Sequence, residues 1–210
     1  MSIIQIFSAV LLAYLIGAIP TSVWIGRFFY KVDVRTQGSG NAGATNTIRV
    51  LGYKAGIPVL IFDIFKGWLA VSIANYFFID AGKFPDSIDF KIMMAIAAVI
   101  GHVFPVYVGF KGGKGIATLL GVGIALFPLA ALFAVIIFAL TLILSGYVSL
   151  SSIVAAITFP IVEILILGHN DYYSLMCLAF AVAVFVPITH HKNIKRLMRG
   201  EESKFTLRKK

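Results

Sequence analysis

Apolar residues in this chain come in long runs divided by short polar segments. The runs cover residues 3–26, 55–79, 92–110, 116–144, 150–167 and 172–188. A helix needs about 20 apolar residues to cross ~30 Å of hydrocarbon. The pattern therefore predicts an all-α polytopic membrane protein, a single domain over 1–210. The first run is not a cleaved leader, because no basic residue precedes it and it is too long. The fourth is long for one span and short for two, and Pro128 lies inside it.

Charge resolves that ambiguity. Basic residues mark cytoplasmic loops. Of the 18 in the chain, Arg27, Lys31, Arg35, Arg49 and Lys54 sit in the first polar segment, and a further group fills the tail from Lys192 to Lys210. Lys111 and Lys114 follow the third run, whereas Lys83 and Lys91 share their loop with Asp80, Asp86 and Asp89. For the first segment and the tail to lie on one side, an even number of spans must separate them. Breaking the fourth run near Phe127-Pro128 supplies it. The expectation is seven transmembrane helices, N-terminus outside and C-terminus cytoplasmic, with short fourth and fifth spans. The chemistry then falls to the cytoplasmic segments 31–54, 111–115, 145–151 and 190–210.

The first of these holds Gly38, Ser39, Gly40, Asn41, Gly43, Thr45, Asn46 and Arg49. Glycines allow backbone N–H groups to turn toward an anion, and an arginine fork suits phosphate. Gly38-x-Gly40-x-x-Gly43 matches a dinucleotide fingerprint only formally, since membrane spans flank it instead of a βαβ unit. The second segment, Lys111-Gly112-Gly113-Lys114-Gly115, is not a nucleotide P-loop: Val108 and Gly115 stand where glycine and Ser/Thr are required. Glycines and lysines opening a helix still suit an anion. In the third segment Ser145, Ser149, Ser151 and Ser152 are expected to cap the next helix. The fourth is a basic amphipathic tail, 190–210, with His190 and Asn193 on one helical face, and a histidine there can act as a base or a phosphate donor. Within the spans, Asp63 and Lys66 are spaced to pair, and His102 and Glu163 are the other polar candidates.

Composition narrows the classes. The chain is 60% hydrophobic and 13% charged with net charge +9, and the clustering of that charge between spans argues against nucleic acid. Cys177 alone excludes an internal disulfide framework. No Asp-rich metal motif and no Gly-x-Ser-x-Gly elbow occur, so no metal and no covalent acyl-enzyme is expected. Positioning and anion stabilisation remain, which suffices for a substrate that is already activated.

In these segments the sequence resembles the bacterial acyl-phosphate:glycerol-3-phosphate acyltransferase family over essentially its whole length. The matching motifs are Gly38 to Asn46 with Arg49, Phe62-Asp63 with Lys66-Gly67, Gly101-His102 with Phe104-Pro105, Phe110 to Gly115, Gly146 to Ser152, and a tail through His190, Asn193, Ile194, Arg196, Leu197, Gly200, Glu202 and Lys204. Ala42 stands where proline is common and His191 where arginine is common. The resemblance implies transfer of a fatty acyl group from acyl-phosphate to glycerol 3-phosphate, giving lysophosphatidic acid and inorganic phosphate without a cofactor. It implies Ser39, Arg49, Lys114, His190 and Asn193 as catalytic residues. The glycines and amides of the first loop with Thr45, Lys111 with Gly112, Gly113 and Gly115, and Ser149 are expected to bind substrate, the Gly112–Gly115 loop with Lys114 resembling the family's glycerol phosphate site. Glu202, Asp63 and Lys66 are expected to be structural. It further implies a monomer in the bacterial inner membrane, supplied by an upstream acyl-phosphate-forming enzyme. The proton of the attacking hydroxyl goes to His190 or to the departing phosphate. Two other classes compete. A transporter of phosphorylated metabolites would show internal repeats, which are absent. An acyl-CoA-dependent acyltransferase would carry His-x-x-x-x-Asp, and no histidine here has Asp five residues on.

Overall fold

The computed structural model describes residues 2–77, 87–166 and 173–205. Asp80, Lys83 and Asp86, the run ends at 79, 167 and 172, and the terminal basic residues Arg208, Lys209 and Lys210 lie outside the described residues. Ten α-helices are described: α1 (Ile3–Gly17), α2 (Thr21–Tyr30), α3 (Ala44–Leu51), α4 (Tyr53–Ser72), α5 (Ser87–Val103), α6 (Ile116–Leu126), α7 (Pro128–Ser145), α8 (Val148–Ile161), α9 (Tyr173–Thr189) and α10 (His191–Met198). Contacts divide them into two compact units, residues 1–126 and 127–210.

Among the described residues, four helical segments are long and apolar enough to cross a membrane: Tyr53–Tyr76, Ile88–Val108, Pro128–Ser145 and Val148–Leu165. The first predicted run is not one continuous helix. It breaks after Gly17, and α2 restarts behind Pro20 at 43° to α1. Proline has no N–H to carry a helix through, so the bend falls where the ring sits. Helix α10 likewise turns 60° from α9. Counting each bent pair once gives six. The fourth run does divide at the predicted point: α6 ends at Leu126, and Pro128 opens α7 as its first helical residue. At 11 residues, α6 is about 17 Å long, well short of the hydrocarbon thickness.

In the first unit α1 packs on α5 and α4 on α6. Both contacts run through reciprocal glycines. A Cβ on Gly17 would enter the Ala98 backbone and one on Gly101 the Tyr14 carbonyl; Gly67 and Gly121 press in the same way on Thr118 and Ile64. Between helices in lipid, backbone approach of this kind replaces the hydrophobic drive that water would supply. The core is correspondingly small-grained, with Ala9, Ala13, Ala70, Ala74, Ala97 and Ala98 around Phe90 and Met94. Large apolar side chains such as Ile61, Phe62 and Ile100 point outward. That inversion of size and burial is what a lipid solvent permits. In the second unit α8 packs against α7 and α9, with Phe127 set edge-on to Phe159 at 5.2 Å.

Candidate active site

The first polar segment is organised by two side chains. Asp33 caps the 3₁₀ turn Val34–Thr36 by accepting the Arg35 N–H. The Arg35 fork then closes on both carboxylate oxygens, Nε to Oδ1 at 3.0 Å and Nη2 to Oδ2 at 2.8 Å. These hydrogen bonds, with a further one from Arg27, outweigh partial burial and hold the Asp33 carboxyl far below the usual carboxylate range. Asn46, buried in α3, is the second organiser. Its Oδ1 accepts the Ser39 N–H at 2.8 Å, and its Nδ2 donates to the carbonyls of Val34 and Gln37. Gly38, at φ 59°, passes so close to that amide that a Cβ would strike Oδ1.

Asn46, expected among the substrate-binding residues, gives both hydrogens of its amide to the loop. The Ser39 N–H is likewise used, and the Gly40 N–H bonds the Gln37 carbonyl at 3.0 Å. The Ser39 side chain and Arg49, in the last turn of α3, are exposed.

The glycine loop before α6 shows the same economy. Gly112 donates its N–H to the Val103 carbonyl and Gly113 to that of His102. A Cβ on Gly112 would meet the His102 carbonyl, and one on Gly113 the His102 Nε2. These glycines therefore give close approach rather than the free N–H groups expected of an anion nest. The loop reaches that position through Gly109 at φ 71° and Phe110 at φ 59°. A left-handed phenylalanine is uncommon and persists only where its surroundings over-determine it. Lys111 is exposed and Lys114 half-buried.

Beneath the loop lies a buried polar network. Asp63 pairs with Lys66 at 2.7 Å, as the spacing predicts. Thr21 donates to the same carboxylate at 3.2 Å, and Lys66 Nζ donates to the Ile19 carbonyl at 2.8 Å. His102 Nδ1 lies 3.1 Å from the Thr118 hydroxyl. Isolated, each of these groups would be costly in a membrane interior; together each has partners. A cavity of about 10 Å³, enough for roughly one water molecule, opens between Asp63, Lys66 and His102 below and Ala42, Gly112 and Gly113 above. The first and second polar segments thus meet at Ala42 and Gly113.

In the second unit the organiser is Glu202. Its Oε1 accepts from Ser149 Oγ at 2.8 Å and from Asn193 Nδ2 at 2.7 Å, and its Oε2 from Arg196 Nε at 2.7 Å. Burial pushes this carboxyl up, but the three hydrogen bonds outweigh it and hold it below its ordinary value. Ser149, expected among the substrate-binding residues, directs its hydroxyl to Glu202. One expectation changes here. The serines do not cap α8: Ser151 and Ser152 bond the Tyr147 and Val148 carbonyls, and Tyr147 occupies the cap without a side-chain bond. His190 is buried at the start of α10. Its Nδ1–H donates to the Val186 carbonyl at 2.8 Å, so in the neutral ring the lone pair sits on Nε2. Glu163, the other acid within a predicted span, is buried in a π-helical turn over Val162–Ile166.

Sequence reasoning counted Arg35 only as a charge and did not name Asp33. The readable signal was the Asp-x-Arg spacing ahead of a glycine-rich loop, a local carboxylate–backbone turn. Thr21 and Thr118 gave no signal, because their partners are set by packing.

Fold and site together define an integral membrane protein that sets glycine-rich, basic loops over a buried ion-pair network. Residues 7–200 match the family model described as glycerol-3-phosphate acyltransferase. A glycerol-3-phosphate acyltransferase of Fusobacterium nucleatum is 44% identical over 95% of this chain and 97% of its own length. One of Listeria welshimeri is 44% identical over 92% and 93%. Among solved structures, the integral membrane glycerol 3-phosphate acyltransferase PlsY (YgiH) in its glycerol 3-phosphate form superposes with a TM-score of 0.84 at 36% identity, covering 96% of each chain. Its lysophosphatidic acid form gives 0.81 at 35% identity, covering 96% and 95%. The chain belongs to the glycerol-3-phosphate acyltransferase family.

Proposed function

We propose that this acyltransferase moves a fatty acyl group from acyl-phosphate to the C1 hydroxyl of sn-glycerol 3-phosphate, releasing lysophosphatidic acid and inorganic phosphate. The observation that carries the reading is the pair of states in which the solved relative was captured, glycerol 3-phosphate and lysophosphatidic acid, which are acceptor and product of this transfer. The donor reading rests on the residues. With no thiol, hydroxyl elbow or metal motif in the cytoplasmic segments, the acyl group must arrive activated, and an acyl-phosphate is a mixed anhydride with phosphate as leaving group.

In this mechanism Arg49 and Lys114 hold the two phosphates. The C1 oxygen attacks the acyl carbonyl, and a donor such as the Ser39 hydroxyl or Asn193 stabilises the oxyanion. The carbon–oxygen bond to phosphate then breaks. Two groups compete for the hydroxyl proton, Nε2 of His190 and an oxygen of the departing phosphate. Glu202 positions Asn193, and Asp63 with Lys66 supports the glycine loop from below.

The enzyme acts as a single 1–210 unit and a monomer in the bacterial cytoplasmic membrane, drawing its donor from an acyl-phosphate-forming enzyme. Its seven spans run from an outer N-terminus to a cytoplasmic C-terminus. Support comes from the charge asymmetry of the loops and the break at Phe127-Pro128. A cysteine placed beside Pro128 and probed on intact cells with an impermeant thiol reagent tests the topology: labelling is expected, as for a control cysteine in loop 80–90, and its absence overturns seven spans.

The donor is tested with purified protein in lipid, offered palmitoyl-phosphate or palmitoyl-CoA with glycerol 3-phosphate. Product from the phosphate alone is expected. Product from the thioester alone removes the donor assignment, and no product from folded protein with either favours a transporter.

A further inference from the structure

Arg35 reaches beyond its own turn. Its Nη1 donates to the Val108 carbonyl at 2.9 Å and to the Lys111 carbonyl at 3.2 Å. Those two carbonyls bracket Gly109 and Phe110, the residues at left-handed φ. The rest of the guanidinium is engaged by Asp33, and the side chain is only 17% exposed. It is therefore not presented as a receptor for a soluble anion. Its address is fixed from behind as well, because Asp33 caps the turn whose Val34 carbonyl is bonded by Asn46. A chain of hydrogen bonds thus runs from α3 through Asn46, the 33–36 turn and Arg35 to the backbone that carries Lys111 and Lys114.

We propose that Arg35, oriented by Asp33, is a positioning residue that locks the 108–115 loop against the first cytoplasmic segment and thereby sets the affinity for the phosphate-bearing acceptor. The proposal rests on the assignment of glycerol 3-phosphate to the Lys111–Lys114 loop. It requires the planar fork: lysine places one ammonium where two carbonyls and a bidentate carboxylate must be met at once. Nothing lies within 4 Å of a Cβ built on Gly109, and the two Arg35 hydrogen bonds fall on either side of that open position. The carboxylate of Asp33 stays ionised across the physiological range, so the lock does not open with ordinary changes of pH.

The test uses the full chain in lipid, as Arg35→Lys, Asp33→Asn and Arg35→Ala. For each, KM is measured separately for glycerol 3-phosphate and for the acyl donor, with kcat, thermal unfolding and hydrogen exchange over the 108–115 amides. The expected result for Arg35→Lys is faster exchange in that loop and a rise of roughly ten-fold or more in KM for glycerol 3-phosphate. Donor KM is expected to stay within about two-fold, since the donor does not use this loop. Millimolar guanidinium is expected to restore part of the acceptor affinity of Arg35→Ala, which loss of global stability would not allow. If that variant does not fold, Asp33→Asn and Arg35→Lys carry the test. Unchanged exchange and unchanged KM in Arg35→Lys overturn the lock. Faster loop exchange with a rise in donor KM alone upholds the lock and overturns the assignment of the loop to glycerol 3-phosphate.

Discussion

Glu202 gives the sharpest stability prediction, because one carboxylate holds three partners drawn from positions 149, 193 and 196. Its side chain is only 7% exposed. Replacing it with alanine leaves the Ser149 hydroxyl and the Asn193 amide hydrogen without this acceptor in buried positions. Leaving a buried donor unsatisfied costs about 1–3 kcal/mol, so Glu202→Ala should lose about 2–6 kcal/mol. The Arg196 side chain is 38% exposed, and its share, screened by solvent, is below about 1 kcal/mol. Glu202→Gln keeps an oxygen for Ser149 and Asn193 and should lose only about that last amount. For a chain of this size the alanine loss corresponds to a fall in Tm of about 5–20 °C, readable by intrinsic fluorescence in detergent. Activity should follow the same order, since Asn193 loses its orientation in the alanine variant only. The pH dependence has a definite sign. The folded carboxyl titrates below its ordinary value of 4.5, so its contribution is complete above that pH and disappears as pH falls through the lower folded value. Equal unfolding temperatures for the two variants, or an unshifted Glu202→Ala with full activity, would refute the reasoning.

Three further outcomes are expected. Lys66→Met strands the Asp63 carboxylate and should lower stability by about 3–5 kcal/mol, whereas the apolar pair Asp63→Leu with Lys66→Met should recover most of it; thermal unfolding of both measures this. Gly113→Ala drives a Cβ into the His102 ring and the Ala42 carbonyl, so KM for glycerol 3-phosphate should rise and stability fall by about 1–3 kcal/mol of overpacking, and unchanged kinetics would show that the loop tolerates displacement. His190→Gln decides between the two proton acceptors: a fall in kcat of roughly a hundred-fold or more assigns the proton to His190, whereas retention of most of kcat across pH assigns it to the departing phosphate.

Much of the helical plan was legible because it is local. Apolar run length predicted the segments at Tyr53–Tyr76, Ile88–Val108 and Val148–Leu165 to within a few residues, and Pro128 marked the start of α7. The Asp63–Lys66 pair followed from a spacing of three on one helix. The bend at Pro20 was written in the sequence too, but the apolar run continued through it and masked it. Side-chain partners were less legible. Ser149 reads as a helix cap until Glu202, more than fifty residues later, takes its hydroxyl. Gly112 and Gly113 read as an anion nest until the end of α5 takes their N–H groups. In each case the residue type announced a capacity, and tertiary packing chose the partner. Arg35 shows the converse: a charge that topology alone explained turns out to join two loops.

The central claim, acyl transfer from a phosphate donor through basic loops, meets its most direct test in the stoichiometry of one reaction. Purified protein in lipid would be given palmitoyl-phosphate and glycerol 3-phosphate, with inorganic phosphate and lysophosphatidic acid both quantified, beside an Arg49→Ala variant. The account predicts equal amounts of the two products, dependence on both substrates, and loss of both products in the variant. Phosphate released without glycerol 3-phosphate, or lysophosphatidic acid formed at the full rate by Arg49→Ala, would contradict it.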